Sequence, residues 1–268
     1  MKITSIFEKE EITVSFEVFP PKTTTNYEAV EKAALGVAAL KPSYMSVTYG
    51  AGGSTRGYTI KIAEKIQKEQ QVTTIAHLTC VGATKADIHA ALGQMKEAGI
   101  ENILALRGDR PKDFEGDPCV GGACYPEGHP DAATKKEDIL NLKKKVDAGC
   151  EFLTTQMFFD NNIFYNFLYK AREAGILVPV IPGIMPITRA NQVANAVRLS
   201  GCNVPERFRS IVDCFGHNPA AMQQAGIAYA TDQIIDLIAN GVNHIHVYSM
   251  NKPEVAKGIY DNLSAIIH

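Results

Sequence analysis

Val14-Ser15-Phe16-Glu17-Val18-Phe19-Pro20-Pro21 is the stretch on which the fold turns. Val14, Phe16 and Val18 alternate with Thr13, Ser15 and Glu17, the period of two that gives a strand two unlike faces. Pro20 and Pro21 end the strand, because neither can donate a ladder hydrogen bond. Glu17 therefore stands at the carboxyl end of a first strand, on its less apolar side, with Phe16, Val18 and Phe19 around it. Apolar surroundings favour the uncharged form of a carboxyl, which suits a proton donor. The alternative is a strand-end glutamate paired with a lysine or arginine.

Outward from this stretch the chain alternates strands and helices without a linker. Apolar periodicity and turn residues predict strands over 44–48, 72–79, 102–106, 120–125, 150–157, 178–184 and 244–248. Helices are predicted over 26–40, 56–68, 85–98, 133–148, 163–174, 188–199 and 253–267, with two or three more inside 204–240, broken near Gly216 and Pro219. Gly99, Gly149 and Gly175 sit where left-handed C-caps belong, and Thr188 is placed to cap the 188–199 helix. Alternating β and α units point to an α/β fold with a parallel sheet. If the short run at 120–125 counts, the eight strands predict a closed (β/α)8 TIM barrel, one domain over 1–268, with a doubly wound open sheet as the alternative.

The fourth crossover breaks the rhythm. Residues 110–119 include Pro111 and Pro118, and parallel neighbours usually need a dozen or more residues of crossover. The barrel is thus expected to lack a helix between its fourth and fifth strands. Ala105 and Arg107 would alternate inward and leave Leu104 and Leu106 on a bare outer flank, which a second copy or another subunit would cover. In a barrel the active site lies at the carboxyl ends of the strands. Glu17, Thr48, His77, Arg107, Asp109, Gln156 and Tyr248 all fall there.

Composition excludes several function classes. The 268 residues are 46% hydrophobic and 21% charged with a formal charge of −2, and the isoelectric point is near 6.4. There is no global pull toward nucleic acid or an anionic membrane. Residues 1–4 lack a signal-peptide layout, and no apolar run approaches ~18 residues, so a cytoplasmic protein is expected. Six scattered cysteines read as reduced thiols. Cys119 and Cys124 lack the CxxC spacing of a zinc site, so no metal is expected.

Eight motifs occur in order: SFEVFPPK at 15–22, VTYGAGG at 47–53, AHLTC at 76–80, ALRGD at 105–109, YPEGHP at 125–130, NLKKKVDAG at 141–149, TQMFFD at 155–160 and IPGIMP at 181–186. Together they resemble the catalytic barrel of the methylenetetrahydrofolate reductase family over nearly the whole chain. The resemblance implies hydride transfer from NADH or NADPH through FAD to 5,10-methylenetetrahydrofolate, giving 5-methyltetrahydrofolate. It implies Glu17 as general acid, Asp109 as the carboxylate near the developing iminium, and Gln156 as a contact of both substrate and nicotinamide. It assigns Thr48, His77, Leu106, Arg107, Gly108, Asp109, Tyr125, His129, Asp138, Asn141, Lys144 and Lys145 to FAD. Gln192, Tyr248 and Lys252 join Glu17 and Gln156 at the folate.

By themselves, His77 reads as a core histidine and 143–145 as a solvated helix face. Gly50 to Gly53 lacks the phosphate-binding signatures and reads as a strand-to-helix loop. Lys144 stands where relatives often carry arginine, so the bidentate phosphate grip of a guanidinium is missing there. Residues 194–197 offer no counterpart to the large apolar folate contact of the family. A chain stopping at the barrel implies a bacterial-type enzyme without the adenosylmethionine-binding regulatory domain, as a homo-oligomer or in a hetero-complex. Two competing readings remain: an electron-relaying subunit of a larger complex, and a pterin enzyme without flavin.

Overall fold

In the computed structural model, which describes residues 1–21, 24–49, 56–80, 83–106 and 118–267, nine short strands pair in parallel around a common axis. They are β1 (Thr13–Val18), β2 (Tyr44–Val47), β3 (Thr74–Thr79), β4 (Asn102–Leu106), β5 (Cys119–Cys124), β6 (Phe152–Thr155), β7 (Val180–Ile181), β8 (Gly183–Ile184) and β9 (His244–Tyr248). The order is β7-β6-β5-β4-β3-β2-β1-β9-β8. β7 and β8 are two pieces of one expected strand, separated by Pro182, which has no amide hydrogen to donate. One piece pairs with β6 and the other with β9, so the sheet comes round into a nearly closed barrel.

Helices α2 (Tyr27–Ala38), α3 (Arg56–Lys65), α4 (Lys85–Glu97), α5 (Lys135–Asp147), α6 (Asn161–Glu173), α7 (Asn191–Ser200), α8 (Glu206–Phe215), α9 (Pro219–Ala239) and α10 (Pro253–Leu263) surround it. Strand residues that face them, such as Val14, Phe16, Val18, Met45, Val47 and Leu153, join helix residues in one buried cluster. Gly99, Gly149 and Gly175 take the left-handed conformation expected of them. Thr188 does not cap α7, which begins at Asn191. Instead the Gln192 side-chain oxygen accepts from the backbone N–H groups of Thr188 and Arg189, both at 2.9 Å.

A further helix, α1 (Ile3–Lys9), was not expected. Seven residues are too few for periodicity to show and too few for a stable isolated helix. Docking stabilises it. Ile3 and Ile6 enter the amino-terminal mouth of the barrel among Tyr44, Ile75, Leu104, Cys119, Phe152 and Ile181, and Phe7 stacks on His244. Asn102 receives the Ile3 N–H at 2.9 Å and returns a bond to the Met1 carbonyl at 2.9 Å. Gly121 sits in this plug because the Phe152 ring occupies the space a β-carbon would need.

This plug corrects the expected facing of β4. His77 is in register with Leu104, and Thr79 with Leu106, so both leucines point into the barrel and Ile103 and Ala105 point out. Leu104 is 7% exposed and belongs to the interior cluster, with Leu106 packed against it. The two leucines therefore supply no bare outer flank. Period two gives alternation but no sign when both faces are apolar, as in Ile103-Leu104-Ala105-Leu106. Whether a helix crosses between β4 and β5 is a question that lies outside the described residues, as do Gly50 to Gly53. Cys119 faces the interior cluster and Cys124 the helical layer, so they cannot share an ion. No disulfide joins any of the six cysteines. No helix among the described residues is long and apolar enough to cross a membrane.

Candidate active site

Above the apolar plug the barrel interior turns polar. Register places Ser15 and Glu17 of β1, Ser46 of β2, His77 of β3 and His246 and Tyr248 of β9 on inward faces. Glu17 Oε2 lies 3.6 Å from His77 Nε2 and 3.7 Å from His246 Nε2. Ser15 Oγ contacts His246 Nδ1 at 2.8 Å and donates to the Ile245 carbonyl at 3.1 Å. Ser46 Oγ lies 3.4 Å from His246 Nε2. His77 is buried and its Nε2 has no hydrogen-bond partner, and burial pushes its pKa down to about 4, with Glu17 opposing. A neutral imidazole results at neutral pH. Burial first, and then the Glu17 charge, hold the Tyr248 phenol well above its ordinary range, and its hydroxyl donates to the Thr155 carbonyl at 2.6 Å.

One rim loop, the one after β9, fixes the end of β1. Ser249 Oγ donates to the Glu17 carbonyl at 2.6 Å. Asn251 accepts from the Phe19 N–H and donates to the Phe19 carbonyl, each at 2.9 Å. Met250 and Asn251 both adopt left-handed φ of 53° to make this turn, a conformation that costs an ordinary side chain roughly 1–2 kcal/mol. The backbone at Glu17 and Phe19 is thus fastened to this loop rather than left as a loose strand end.

Beside this layer, at the ends of β3, β4 and β5, opens a cavity of about 700 Å³ that runs onto α5. Thr79, Ala105, Leu106 and Ala123 give it a smooth wall, and Tyr125, His129, Asp138, Asn141 and Lys145 give it polar groups. Asp138, Asn141 and Lys145 share one helix face by their spacing of three and four. Asp138 Oδ2 accepts the His129 N–H at 3.0 Å, and His129 Nδ1 accepts the Asp131 N–H at 3.1 Å. That leaves the imidazole hydrogen on Nε2. The Tyr125 ring meets His129 edge-on at 4.5 Å between centroids. Lys145 Nζ donates to the Ala123 carbonyl at 3.1 Å, and exposed Lys144 donates to Asn141 Oδ1 at 3.1 Å. The size suits a large ligand. Small residues admit a flat ring, and a lysine on the far wall suits a pyrophosphate. These residues fit FAD.

Of the expected residues, Leu106, Tyr125, His129, Asp138, Asn141 and Lys145 meet in that cavity, whereas His77 lies in the polar layer with Glu17. Thr48 follows β2 and its N–H donates to the Val18 carbonyl at 2.9 Å. Gln156 follows β6, with its side-chain oxygen accepting from the Met157 N–H at 2.9 Å. Lys252 donates to Thr188 Oγ1 at 2.8 Å, and burial, then Arg189, push its pKa down. Gln192 spends its side-chain oxygen at the start of α7. Arg107, Gly108 and Asp109 lie outside the described residues. His246, Ser15 and Ser46 were missed, although the alternation of His244, His246 and Tyr248 with Tyr248 inward already put His246 on that face.

The methylenetetrahydrofolate reductase family model matches residues 2–118 and 114–264. The chain is 33% identical to methylenetetrahydrofolate reductase (NADH) 1 of Arabidopsis thaliana, over 99% of this chain and 50% of that protein. It is 32% identical to the 5,10-methylenetetrahydrofolate reductases of Pectobacterium carotovorum and Escherichia coli, over 94% of this chain and 90% and 91% of theirs. The chain thus spans about half the length of the plant relative and most of the bacterial ones. Among solved structures, an uncharacterized protein from Clostridium thermocellum that binds two copies of 5-methyl-5,6,7,8-tetrahydrofolic acid superimposes with a TM-score of 0.72 at 14% identity, over 99% of this chain and 100% of that one. Barrel, ordered motifs and family match agree: the chain belongs to the methylenetetrahydrofolate reductase family.

Proposed function

We propose that this chain reduces 5,10-methylenetetrahydrofolate to 5-methyltetrahydrofolate, with NADH or NADPH as donor and FAD in the cavity against α5. Bound there, the flavin supplies two-electron hydride chemistry between nucleotide and folate. The observation that carries the reading is the Glu17 carboxyl, held in a polar layer 3.6 and 3.7 Å from two imidazoles, beside a cavity whose polar residues suit a dinucleotide. Opening the five-membered ring of the folate needs a proton on the departing nitrogen, and Glu17 gives it. The iminium that forms needs a carboxylate nearby, and that role is assigned to Asp109. A carboxyl that donates a proton and a second carboxyl that faces the cation divide the labour. Gln156 orients folate and nicotinamide in turn, and Lys252 and Tyr248 bound the folate side. The folate bound on the same barrel in the Clostridium protein supports a ligand of this class.

The test separates the two half-reactions by stopped flow. Glu17→Gln is expected to keep its flavin and to accept hydride from the nucleotide, while folate reduction falls roughly 10²–10⁴-fold, the worth of one general acid. Equal damage to both halves would make Glu17 structural. Chromatography of the flavin released on denaturation is expected to show FAD, and FMN alone would sink the cofactor assignment. Turnover with free NADH or NADPH, against an artificial dye only, decides whether another protein supplies the electrons.

A further inference from the structure

Where β7 breaks from β8, a ladder hydrogen bond changes partner. β6 and β7 pair Leu153 with Val180 and Thr154 with Ile181, and the Leu153 N–H donates to the Pro179 carbonyl at 2.9 Å. Continued at that register, the ladder would bring the Gly183 N–H to the Thr155 carbonyl. The Gly183 N–H goes instead to Thr155 Oγ1, at 2.8 Å. The carbonyl so released accepts the Tyr248 hydroxyl, which reaches it from β9 at 2.6 Å. A carbonyl has no hydrogen, so the phenol must donate, and its one hydrogen is spent there. Gly183 leaves room for this contact. A β-carbon on it would stand 2.5 Å from both the Tyr248 hydroxyl oxygen and the Thr155 carbonyl oxygen. Its φ is not left-handed, so clearance rather than backbone freedom calls for glycine here.

We propose that Thr155 and Gly183 are positioning residues for the folate site: they hold the Tyr248 phenol across the gap in the split strand, and the phenol fixes the peptide from which the Gln156 side chain starts. The proposal rests on the reading of Gln156 and Tyr248 as folate contacts and says what aims them. The peptide group joining Thr155 to Gln156 is held on both sides, its carbonyl by the Tyr248 hydroxyl at 2.6 Å and its N–H by the Cys124 carbonyl at 2.7 Å. The Gln156 side-chain oxygen accepts the Met157 N–H at 2.9 Å, so the direction of its amide follows this stretch of backbone. Thr155 is buried, and its hydroxyl keeps the Gly183 N–H without competition from solvent. Burial also keeps the Tyr248 phenol protonated. With its hydrogen spent on the barrel wall, Tyr248 offers a ligand its ring and an accepting oxygen, not a proton.

The test follows oxidation of the dithionite-reduced, flavin-loaded enzyme by methylenetetrahydrofolate in single-turnover stopped flow, read as an apparent second-order rate constant. FAD affinity is measured beside it by titration of the apoprotein. Thr155→Val keeps the side-chain shape, removes the hydroxyl and returns the Gly183 N–H to the carbonyl that Tyr248 uses. Tyr248→Phe removes the phenol's hydrogen bond directly. Each is expected to lower the folate rate constant roughly 10–100-fold, the scale on which small misplacements act. FAD affinity should stay at the wild-type value, because that cavity lies at the ends of β3, β4 and β5. Thr155→Ser keeps the hydroxyl and should restore the rate. Both T155V and Y248F break one latch, so the double variant should be no slower than Y248F alone. Losses that multiply, a T155S enzyme as slow as T155V, a T155V enzyme as fast as wild type, or an equal loss of FAD affinity each overturn the proposal. If T155V does not fold, Tyr248→Phe combined with Gln156→Ala carries the test, since a phenol that aims Gln156 gives losses short of multiplying and full multiplication overturns it. Gln156→Ala alone separates this from the underlying reading: a wild-type folate rate in that variant removes Gln156 as a folate contact instead.

Discussion

Lowering the pH should loosen this barrel through His77, and the size of the effect follows from its surroundings. In an unfolded chain the imidazole takes its proton near 6.5, but in the folded barrel, at 5% exposure, only at about 4. Between those values the unfolded state binds more protons, so each step down in pH favours unfolding. The full contribution of the neutral ring is present above pH 6.5 and is lost as pH falls toward 4. A difference of about 2.5 units at 1.36 kcal/mol per unit is about 3 kcal/mol. Many carboxylates also titrate in this range, so the measurement is a difference. Urea unfolding of wild type and His77→Gln at several pH values between 7 and 4 should show the gap between them shifting by about 3 kcal/mol, in favour of the variant at acid pH. Nitrogen chemical shifts of the imidazoles should show one ring that stays neutral to about pH 4. A pH-independent gap, or a His77 ring that titrates near 6.5, would refute the reasoning.

Gly121→Ala pushes a methyl into the Phe152 ring, and overpacking of this kind costs roughly 1–3 kcal/mol. It should appear as a melting temperature lower by several degrees with the folate pH profile unchanged. Lys145→Ala leaves the fold intact because the residue is exposed. Losing a charge-assisted bond to a phosphate, worth roughly 1.5–3 kcal/mol, should weaken FAD binding roughly 10–100-fold in a titration of the apoprotein. Unchanged affinity would place the pyrophosphate elsewhere.

Much of the barrel was legible in the chain because each strand and helix signal is local. Alternation in 13–18, helical spacing in 26–40 and the glycines at 99, 149 and 175 depend only on neighbours in sequence, and each appears close to where it was expected. What failed needed the third dimension. α1 exists because the barrel mouth buries Ile3 and Ile6, not because seven residues favour a helix. Pro182 divides β7 from β8 because it has no amide hydrogen to donate, and only closure of the ring decided that one piece pairs with β6 and the other with β9. The facing of Leu104 was undecidable from Ile103-Leu104-Ala105-Leu106, since an all-apolar run alternates without saying which side is in.

The same division holds at the site. Sequence by itself determined that Glu17 ends a strand and that Asp138, Asn141 and Lys145 share a helix face, since both follow from backbone period. Only the tertiary structure decided what Glu17 faces. Ser15 and His246 meet across 231 positions of chain, and two imidazoles converge on one carboxyl because three parallel strands bring their inward faces to the same height. The surroundings of Glu17 are a property of that convergence. Charge states in a dry interior depend on distance and desolvation, and neither is written in any local stretch of the chain.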